Sequence, residues 1–496
     1  MLSDRPPWPL DITRGNPATD DNGVPAVTQS LRVGILGTRR ERGMLHRLAK
    51  AIAWAGAIIT PVLFAPGTAL AVPSFAVQTG QPCAACHVGA FGPRLTSYGR
   101  DFKLFGYTAA KPKVEAPHLA MFVQSSLTHT QVDQATPPAE GFGRNNNFAV
   151  DQISLLYAGR ITDNVGAFLQ GTFDGTTQTA AWDNMDVRWA KDMDVFGSDL
   201  VLGITANNNP TVEDLWSTTP AWSFPFSASS LAPVPQASTL IESNIGQRVI
   251  GLGAYAMWND WIYLDGTVYT SPGNDALSRL GEPVVGQDKI QGATPYGRVA
   301  VQHGWGSHYG EIGAFGLRSS AYPGGDPSAG KTDTLTDIGF DASYQWTANP
   351  HKVDSDVLAV DGVVIHENEN LAASSVLSGT NGTDTLTTVK ADLSYAIDAT
   401  YIPTFQYFQI LGNSDPGRWI SSPNGSPNTR GYITELAYVP FGKPDSPINW
   451  GNLRLQLQYV GYTEFNGTSA HASDNNTLYL NVWIALGIPD LSQSSH

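Results

Sequence analysis

The residues with the clearest chemical meaning are Cys83, Cys86 and His87, in the sequence Cys-Ala-Ala-Cys-His. Two thiols two residues apart, followed directly by an imidazole, form the attachment pattern of a c-type haem, in which the sulfurs bind the haem covalently and the histidine binds its iron. The chain holds only these two cysteines, so no other thiol competes for them. The alternative is a CxxC redox pair, but the sequence around the motif lacks the βαβ unit of a thioredoxin-like site. The pattern therefore predicts one covalent haem c with His87 as the proximal iron ligand.

Further contacts for this haem are expected close to the motif. The second axial ligand would be the Met121 thioether or the His118 imidazole, or that position would have no protein ligand. Three basic residues, Arg94, Arg100 and Lys103, would hold the haem propionates by charge-assisted hydrogen bonds. For each of the three, a solvated basic side chain is the alternative.

The residues before the motif have the pattern of an export signal. Basic residues at 39–50 precede an apolar run at 51–64 and a small-residue cleavage pattern at Ala69-Leu70-Ala71, as in a secretory signal peptide. A start at Met44 gives an ordinary signal peptide over 44–71. Residues 1–43 are then a polar, disordered-looking leader or a mis-assigned start, and residues 72–116 form the monohaem segment.

Composition narrows the class of protein. The chain has 29 Lys and Arg against 44 Asp and Glu, a net charge of −15, so nucleic acid is excluded as a partner. Only 15% of residues are charged, and the chain contains 50 Gly, 18 Tyr and 13 Trp. This balance suits a secreted β protein, and it suits an outer-membrane barrel better.

Alternation of apolar and polar residues is the main signal for the fold. In residues 337–346 and 389–395 every second residue is apolar, which is typical of strands with lipid on one side and a polar interior on the other. Sixteen such strands are predicted within 117–490. They are placed at 117–130, 147–161, 165–174, 182–190, 199–206, 246–258, 261–270, 294–303, 306–318, 332–346, 351–367, 384–395, 401–410, 429–440, 451–463 and 475–488. The predicted fold is all-β, an antiparallel outer-membrane barrel with a small N-terminal helical haem c segment.

Connection lengths support the barrel. Short links such as 162–164 and 259–260 follow the even-numbered strands, and mostly longer links follow the odd-numbered ones, as in an outer-membrane barrel with both termini in the periplasm. A soluble β-sandwich is the alternative, but nothing in that fold requires short and long loops to alternate. The aromatic and proline-rich link at 207–245 either folds into the lumen as a constriction or packs as an extracellular loop.

A short helix is predicted from Gly92-Pro93 to Phe105, closed by Gly106. Leu95, Tyr98, Phe102 and Phe105 would share one apolar face. That face would cover the haem or pack on the barrel wall.

Residues 73–108 resemble the N-terminal signature of the fused outer-membrane cytochrome–porins, whose best-studied members are bacterial iron oxidases. The similar stretches are 73–80, Cys83 to His87, 91–95, 98–103 and 106–108. The resemblance implies one covalent haem c within a sixteen-stranded porin that carries electrons across the outer membrane. The same family also includes proteins whose function is unsettled.

Two functions follow as hypotheses. The first is electron transfer between an extracellular reductant such as Fe(II) and a periplasmic cytochrome or other electron carrier, by a protein held in outer-membrane lipid. The second is a transport porin whose haem segment is a plug or redox gate. A hydrolytic enzyme is a distant third, because the remaining histidines show no metal-ligand spacing.

Overall fold

A computed structural model describes residues 73–111, 118–448 and 450–487. The predicted leader and signal peptide lie outside these residues, as do residues 72 and 112–116 of the predicted haem segment. Within the described part of the chain, no helix is long and apolar enough to cross a membrane.

Long antiparallel strands form a closed ring of sixteen, which confirms the predicted fold class. The first strand pairs with both the second and the last, so the sheet has no free edge. The strands are β1 Leu119–Thr130, β2 Asn147–Arg160, β3 Val165–Asp174, β4 Thr179–Val195, β5 Ser198–Asn207, β6 Ile250–Trp258, β7 Ile262–Thr270, the short β8 Lys289–Gln291, β9 Thr294–Trp305, β10 His308–Tyr322, β11 Asp333–Thr347, β12 Val357–Asn370, β13 Thr383–Ala396, β14 Tyr401–Gly412, β15 Thr429–Tyr438, β16 Gly451–Glu464 and β17 Thr477–Gly487. Strand β8 lies outside the ring order and pairs only with the end of β10.

The helical elements are short. They are α1 Pro73–Thr79, α2 Cys83–Cys86, α3 Ser97–Leu104, α4 Asn274–Arg279 and α5 Ser374–Leu377, with 3-10 turns at Val88–Ala90, Pro323–Gly325 and Ala472–Asn475 and a π turn at Leu240–Asn244.

Most predicted strands agree with the structure to within a few residues, and the differences have local causes. Strand β12 begins at Val357 rather than at 351, because residues 349–355 form a turn closed by backbone hydrogen bonds. Strand β4 is longer than predicted, and β8 was not predicted at all. A three-residue strand carries too little alternation to be recognised in sequence.

Each strand turns one face to the lumen and one face outward. In β12 the odd-numbered residues, such as Asp361 and Glu367, are buried, whereas Val360 and Val364 are 40% and 41% exposed. The polar side chains therefore line the interior and the apolar ones cover the outside, as the alternation predicted.

The two ends of the barrel differ. At one end, here called the turn end, the strands are joined by short links such as 196–197 and 306–307. At the other, the loop end, the links include 131–146, 208–249 and 271–293. The link 175–178 is the short exception at the loop end.

Two segments fill the lumen. Residues 73–111, called the plug, pack near the turn end in a core that contains Cys83, Phe91, Val357 and Trp483. Residues 208–249, called the inner loop, pack in the lumen against the plug, and their side chains Trp216 and Phe224 are only 1% exposed. Of the two alternatives stated for this loop, folding into the lumen is the arrangement found.

The predicted helix at 92–105 is too long. Helix α3 begins at Ser97, because the Thr96 hydroxyl accepts a hydrogen bond from the Gly99 N–H and caps the helix there. Residues before the cap are extended, since Leu95 pairs with His87 in a β-bridge. Phe102 is buried but Tyr98 is 41% exposed, so the predicted residues do not form one buried apolar face.

Candidate site on the plug

The two cysteines stand on one helical turn, α2, which follows Pro82 and ends at His87. The Ala84 N–H donates to the carbonyl of Gly442, in the link between β15 and β16, so that link holds the turn. Both thiols are free. The structure therefore presents the two thiols of the motif at the first and last residues of one helical turn.

The chain reverses directly after the motif. Gly89 and Gly92 have φ values of +74° and +104°, conformations that favour glycine. The Thr96 N–H then donates to the Cys86 carbonyl at 3.0 Å. Gly99 comes so close that an added Cβ would lie 2.2 Å from that same carbonyl oxygen. The motif and α3 thus form one compact unit that depends on small residues at its contacts.

Cys83 is wholly buried against the wall of the barrel. The Asn452 side-chain amide donates to its Sγ at 3.3 Å and to the Ala90 carbonyl at 2.8 Å. Burial raises the pKa of the Cys83 thiol far above its ordinary value. Burial also raises the pKa of Cys86 to about 12, so both side chains are neutral thiols at physiological pH.

The His87 side chain has the properties of a metal ligand. Its Nδ1 is buried and has no hydrogen-bond partner among the described residues. Burial lowers the pKa of the imidazole to about 4, so the ring is neutral, which is the form that binds iron. Two free thiols and a neutral imidazole with one nitrogen lacking a partner fit the requirements of covalent haem c.

The three predicted propionate ligands have other partners. Arg94 donates to Asp361, Asp392 and Ser394 at 2.8, 2.5 and 2.6 Å. Its guanidinium is therefore occupied by carboxylates of the barrel wall.

Arg100 and Lys103 also point into the barrel. Arg100 donates to the Gln345 side chain at 3.2 Å and lies 3.6 Å above the Tyr309 ring. Lys103 donates to the Asp214 carbonyl at 2.5 Å. Together with Arg94 they act as anchors between plug, inner loop and wall, and we do not propose a propionate role for them.

The two predicted distal ligands lie on the outer side of the wall. Inward positions of β1 are even-numbered, as Phe122 packs on Trp483 in the plug core. Met121 therefore faces outward. The His118 ring packs against Tyr157 with 5.8 Å between ring centroids, and Tyr157 alternates with the buried Leu156 and Ala158. Neither residue is on the side of the sheet where the motif lies.

Asp214 of the inner loop joins three parts of the molecule. Its side chain accepts the N–H groups of Thr218 and Thr219, both at 3.0 Å, and lies 3.5 Å from Arg298 of β9. Its carbonyl accepts the hydrogen bond from Lys103 of the plug. The neighbouring Ser217 hydroxyl donates to the Pro93 carbonyl at 2.8 Å. The inner loop and the plug are thus interlocked.

Sequence reasoning missed these interior partners. Alternation does indicate that polar strand residues such as Asp361 and Asp392 face inward. Which plug cation meets which carboxylate depends on strand register across the ring, and the sequence does not give that. Among the described residues there is also no group of three or more His, Cys, Asp or Glu side chains arranged to hold a metal ion.

No family model matches the chain, and no curated protein sequence matches it. Several solved outer-membrane proteins have a similar shape. OprB of Pseudomonas putida is 13% identical with a TM-score of 0.43, over 74% of this chain and 93% of that one. The anion-selective porin of Comamonas acidovorans is 13% identical with a TM-score of 0.41, over 74% and 98%. At such identities and TM-scores these similarities say nothing about what this chain binds.

Proposed function

We propose that this protein is an outer-membrane electron-transfer barrel that carries one covalent haem c on its plug. The observation that carries the proposal is the state of the motif: free thiols at Cys83 and Cys86 and a neutral His87 with an unpaired, buried nitrogen. These three residues lie in the lumen of a closed barrel. The barrel wall would surround a redox group held there and separate it from the lipid.

The outer surface supports a place in the membrane. Large apolar side chains stand exposed on the outward face, including Leu155, Leu252 and Phe340 at 67%, 66% and 61%. Such a surface would be costly in water, because each exposed apolar side chain forgoes roughly 1.5–3 kcal/mol of burial. By the usual rule for bacterial barrels, the turn end faces the periplasm.

Each residue of the motif has a separate task in this proposal. Cys83 and Cys86 would attach the haem through thioethers, and His87 would bind the iron. The group then supplies one-electron redox chemistry. Asn452 and Gly442 hold the Cys83 side of the turn against the wall, which fixes where the redox centre stands.

The proposed partners follow from the position of the plug. An extracellular reductant, with Fe(II) as our candidate, would approach from the loop end. A periplasmic cytochrome or other electron carrier would dock at the turn end, to which the plug lies close. Residues 73–111 therefore stand between a donor that cannot cross the membrane and an acceptor that is confined behind it.

The first experiment tests attachment. Wild-type protein and Cys83→Ala/Cys86→Ala protein are purified from outer membranes, denatured, and stained for haem peroxidase activity. We expect staining of the wild-type band only, because thioethers survive denaturation. Equal staining of both bands, or none of either, contradicts the proposal.

The second experiment tests electron transfer. Oxidised protein is mixed with Fe(II) in a stopped-flow spectrometer, and reduction is followed through the absorbance of the haem. The control is the same protein denatured around its haem. We expect faster reduction of the folded protein.

A transport porin is the second candidate function, and the polar wall favours it. Gln124, Ser126 and Thr128 face the lumen on β1, as side chains do in water-filled barrels. Reconstituted vesicles would then pass small solutes, and Fe(II) would leave the haem oxidised.

A further inference from the structure

Two buried glutamates of the inner loop lie in opposite environments. The Glu242 carboxylate forms an ion pair of 2.6 Å with Lys390 of β13 and accepts a hydrogen bond of 2.9 Å from the Thr239 hydroxyl. Glu213 is completely buried, and neither oxygen of its carboxyl group has a hydrogen-bond partner among the described residues. A buried carboxylate without a partner is costly, and such a group takes up a proton instead. The structure therefore points to a proton on Glu213 and not on Glu242.

A second carboxyl group lies beside Glu213. The charge of Asp265 on β7 acts on Glu213, and the Asp265 carboxylate accepts hydrogen bonds from the hydroxyls of Tyr263 and Thr267 at 3.4 and 3.1 Å. Hydrogen-bond donors stabilise the charged form of an acid. Of the two carboxyl groups, Asp265 is therefore the one equipped to carry the negative charge, and that charge disfavours a second one on Glu213.

The cations in this part of the lumen are bound to other groups. Arg188 of β4 donates to Asp186 at 2.7 Å, Arg298 of β9 donates to Asp341 at 2.7 Å, and Lys103 of the plug donates to the carbonyl of Asp214. Within the described residues none of the three forms an ion pair with Glu213. The other titratable groups that face Glu213 are the phenols of Tyr263, Tyr269 and Tyr296. Burial, together with the charge of Asp265, therefore raises the pKa of Glu213 to about 8.

We propose that Glu213 is a proton-operated latch, which holds the inner loop in the lumen while it carries a proton and favours release of the loop when it loses that proton. Release would move the carboxylate into water and away from Asp265, and it would widen the route from the loop end to the plug. The pH of the medium at the loop end would thus control access to the plug. The latch lies beside β4, β7 and β9, whereas Cys83 lies beside Asn452 of β16, so failure of this proposal leaves the haem proposal untouched.

The direction of the effect follows from the number of protons bound. In the docked loop Glu213 keeps its proton up to about pH 8, whereas an ordinary glutamate in a released loop loses it near pH 4.5. Docking therefore takes up a proton between these values, and it weakens by up to about tenfold for each unit by which the pH rises. The Lys103 ammonium has the opposite effect, but only above about pH 7. The range from pH 5 to pH 7 therefore reports on Glu213 without Lys103.

The test is cleavage of the inner loop by proteinase K in the full-length protein, held in detergent micelles at pH 5 and at pH 7. The protease is calibrated at each pH with an unfolded substrate, and cuts within 208–249 are identified by mass spectrometry. Asp337 and Glu367 accept N–H groups of the same loop, and any pH dependence that they cause is common to all variants. We expect the increase in cleavage from pH 5 to pH 7 to be up to about 70-fold greater in the wild type than in Glu213→Gln protein. At pH 7 the Glu213→Gln loop should be cut more slowly than the wild-type loop, because glutamine needs no proton.

The matched control is Glu242→Gln, which changes the other buried glutamate of the loop but breaks its ion pair with Lys390. This variant should be cut faster than the wild type at both pH values and should keep the wild-type pH dependence. Asp265→Asn is the second variant, and it should lessen the pH dependence because it removes the neighbouring charge. Equal pH dependence in wild-type and Glu213→Gln protein, faster cleavage of Glu213→Gln at pH 7, or loss of the dependence in Glu242→Gln overturns the proposal.

Discussion

Replacing Arg94 by Met should release the plug from the barrel wall. The guanidinium makes three hydrogen bonds of 2.5–2.8 Å to wall residues of β12 and β13. Its carboxylate partners Asp361 and Asp392 are only 5% and 7% exposed. Methionine fills a similar volume but leaves both carboxylates buried without a counter-charge.

The size of the effect follows from the burial of the pair. Removing one partner of a buried ion pair costs about 3–5 kcal/mol, mostly because the other charge is left uncompensated. That free energy corresponds to an increase of roughly 150- to 5,000-fold in the population of the released plug. The effect should fall mainly on the plug, since the hydrogen bonds between strands are unchanged.

Trypsin measures the released population, because Arg100 and Lys103 of the plug are buried and protected from cleavage. We expect Arg94→Met protein to be cut at these residues far faster than the wild type, and its barrel to conduct ions in planar bilayers. The control is Arg160→Met, whose ion pair with Asp163 is exposed and should be worth at most about 1 kcal/mol. Adding Asp361→Asn and Asp392→Asn to Arg94→Met should restore much of the protection. Cleavage of Arg94→Met at the wild-type rate would refute the reasoning.

Three further predictions concern the contacts of the plug and the inner loop. Gly99→Val should displace the motif, because its Cβ would meet the Cys86 carbonyl oxygen at 2.2 Å; alkylation of Cys86 in haem-free protein should become faster, while Gly266→Ala, with open space around it, should change nothing. Burial, with help from the nearby charge of Arg188, lowers the pKa of Lys103 from 10.5 to about 7. Between pH 7 and pH 10.5 the unfolded chain therefore binds a proton at Lys103 that the folded chain lacks, so protection of the plug from protease should increase as the pH rises from 7 to 10. In Lys103→Met protein this dependence of protection on pH should vanish. Trp216→Ala should free the inner loop, since the side chain is 1% exposed and donates to Tyr309 at 2.6 Å; a cost of about 3–5 kcal/mol should appear as faster protease cleavage within 208–249 in intact cells, and unchanged cleavage would show that this contact does not hold the loop.

The barrel could be predicted from sequence because its rule is local. A residue of a half-buried strand takes its character from the side it faces, so alternation in 337–346 or 389–395 reports directly on lumen and exterior. Short links and long links likewise follow from which ends of neighbouring strands they join. The strand bounds differ only where the local signal is weak, as at the turn before Val357 or in the three residues of β8.

The motif was also visible in sequence, since attachment of a haem requires particular residues at particular spacing. Whether the Nδ1 atom of His87 is buried without a hydrogen-bond partner was not visible, because that depends on how the plug packs in the lumen. The helix bounds show the same limit: Pro93 is typical of a helix start, but the Thr96 cap and the bridge between His87 and Leu95 decide that the helix begins at Ser97.

The sequence by itself thus determined the class of fold, the order of the strands and the thiols and imidazole at 83–87. The tertiary structure decided the rest of the site: Arg94 meets Asp361 and Asp392, Lys103 meets Asp214, and Met121 and His118 face away from the plug. The physical reason is the closed ring, which brings residues some 300 positions apart into contact across the lumen. Such contacts are set by register and by the volume left inside the barrel, and neither quantity is encoded in any local stretch of the chain.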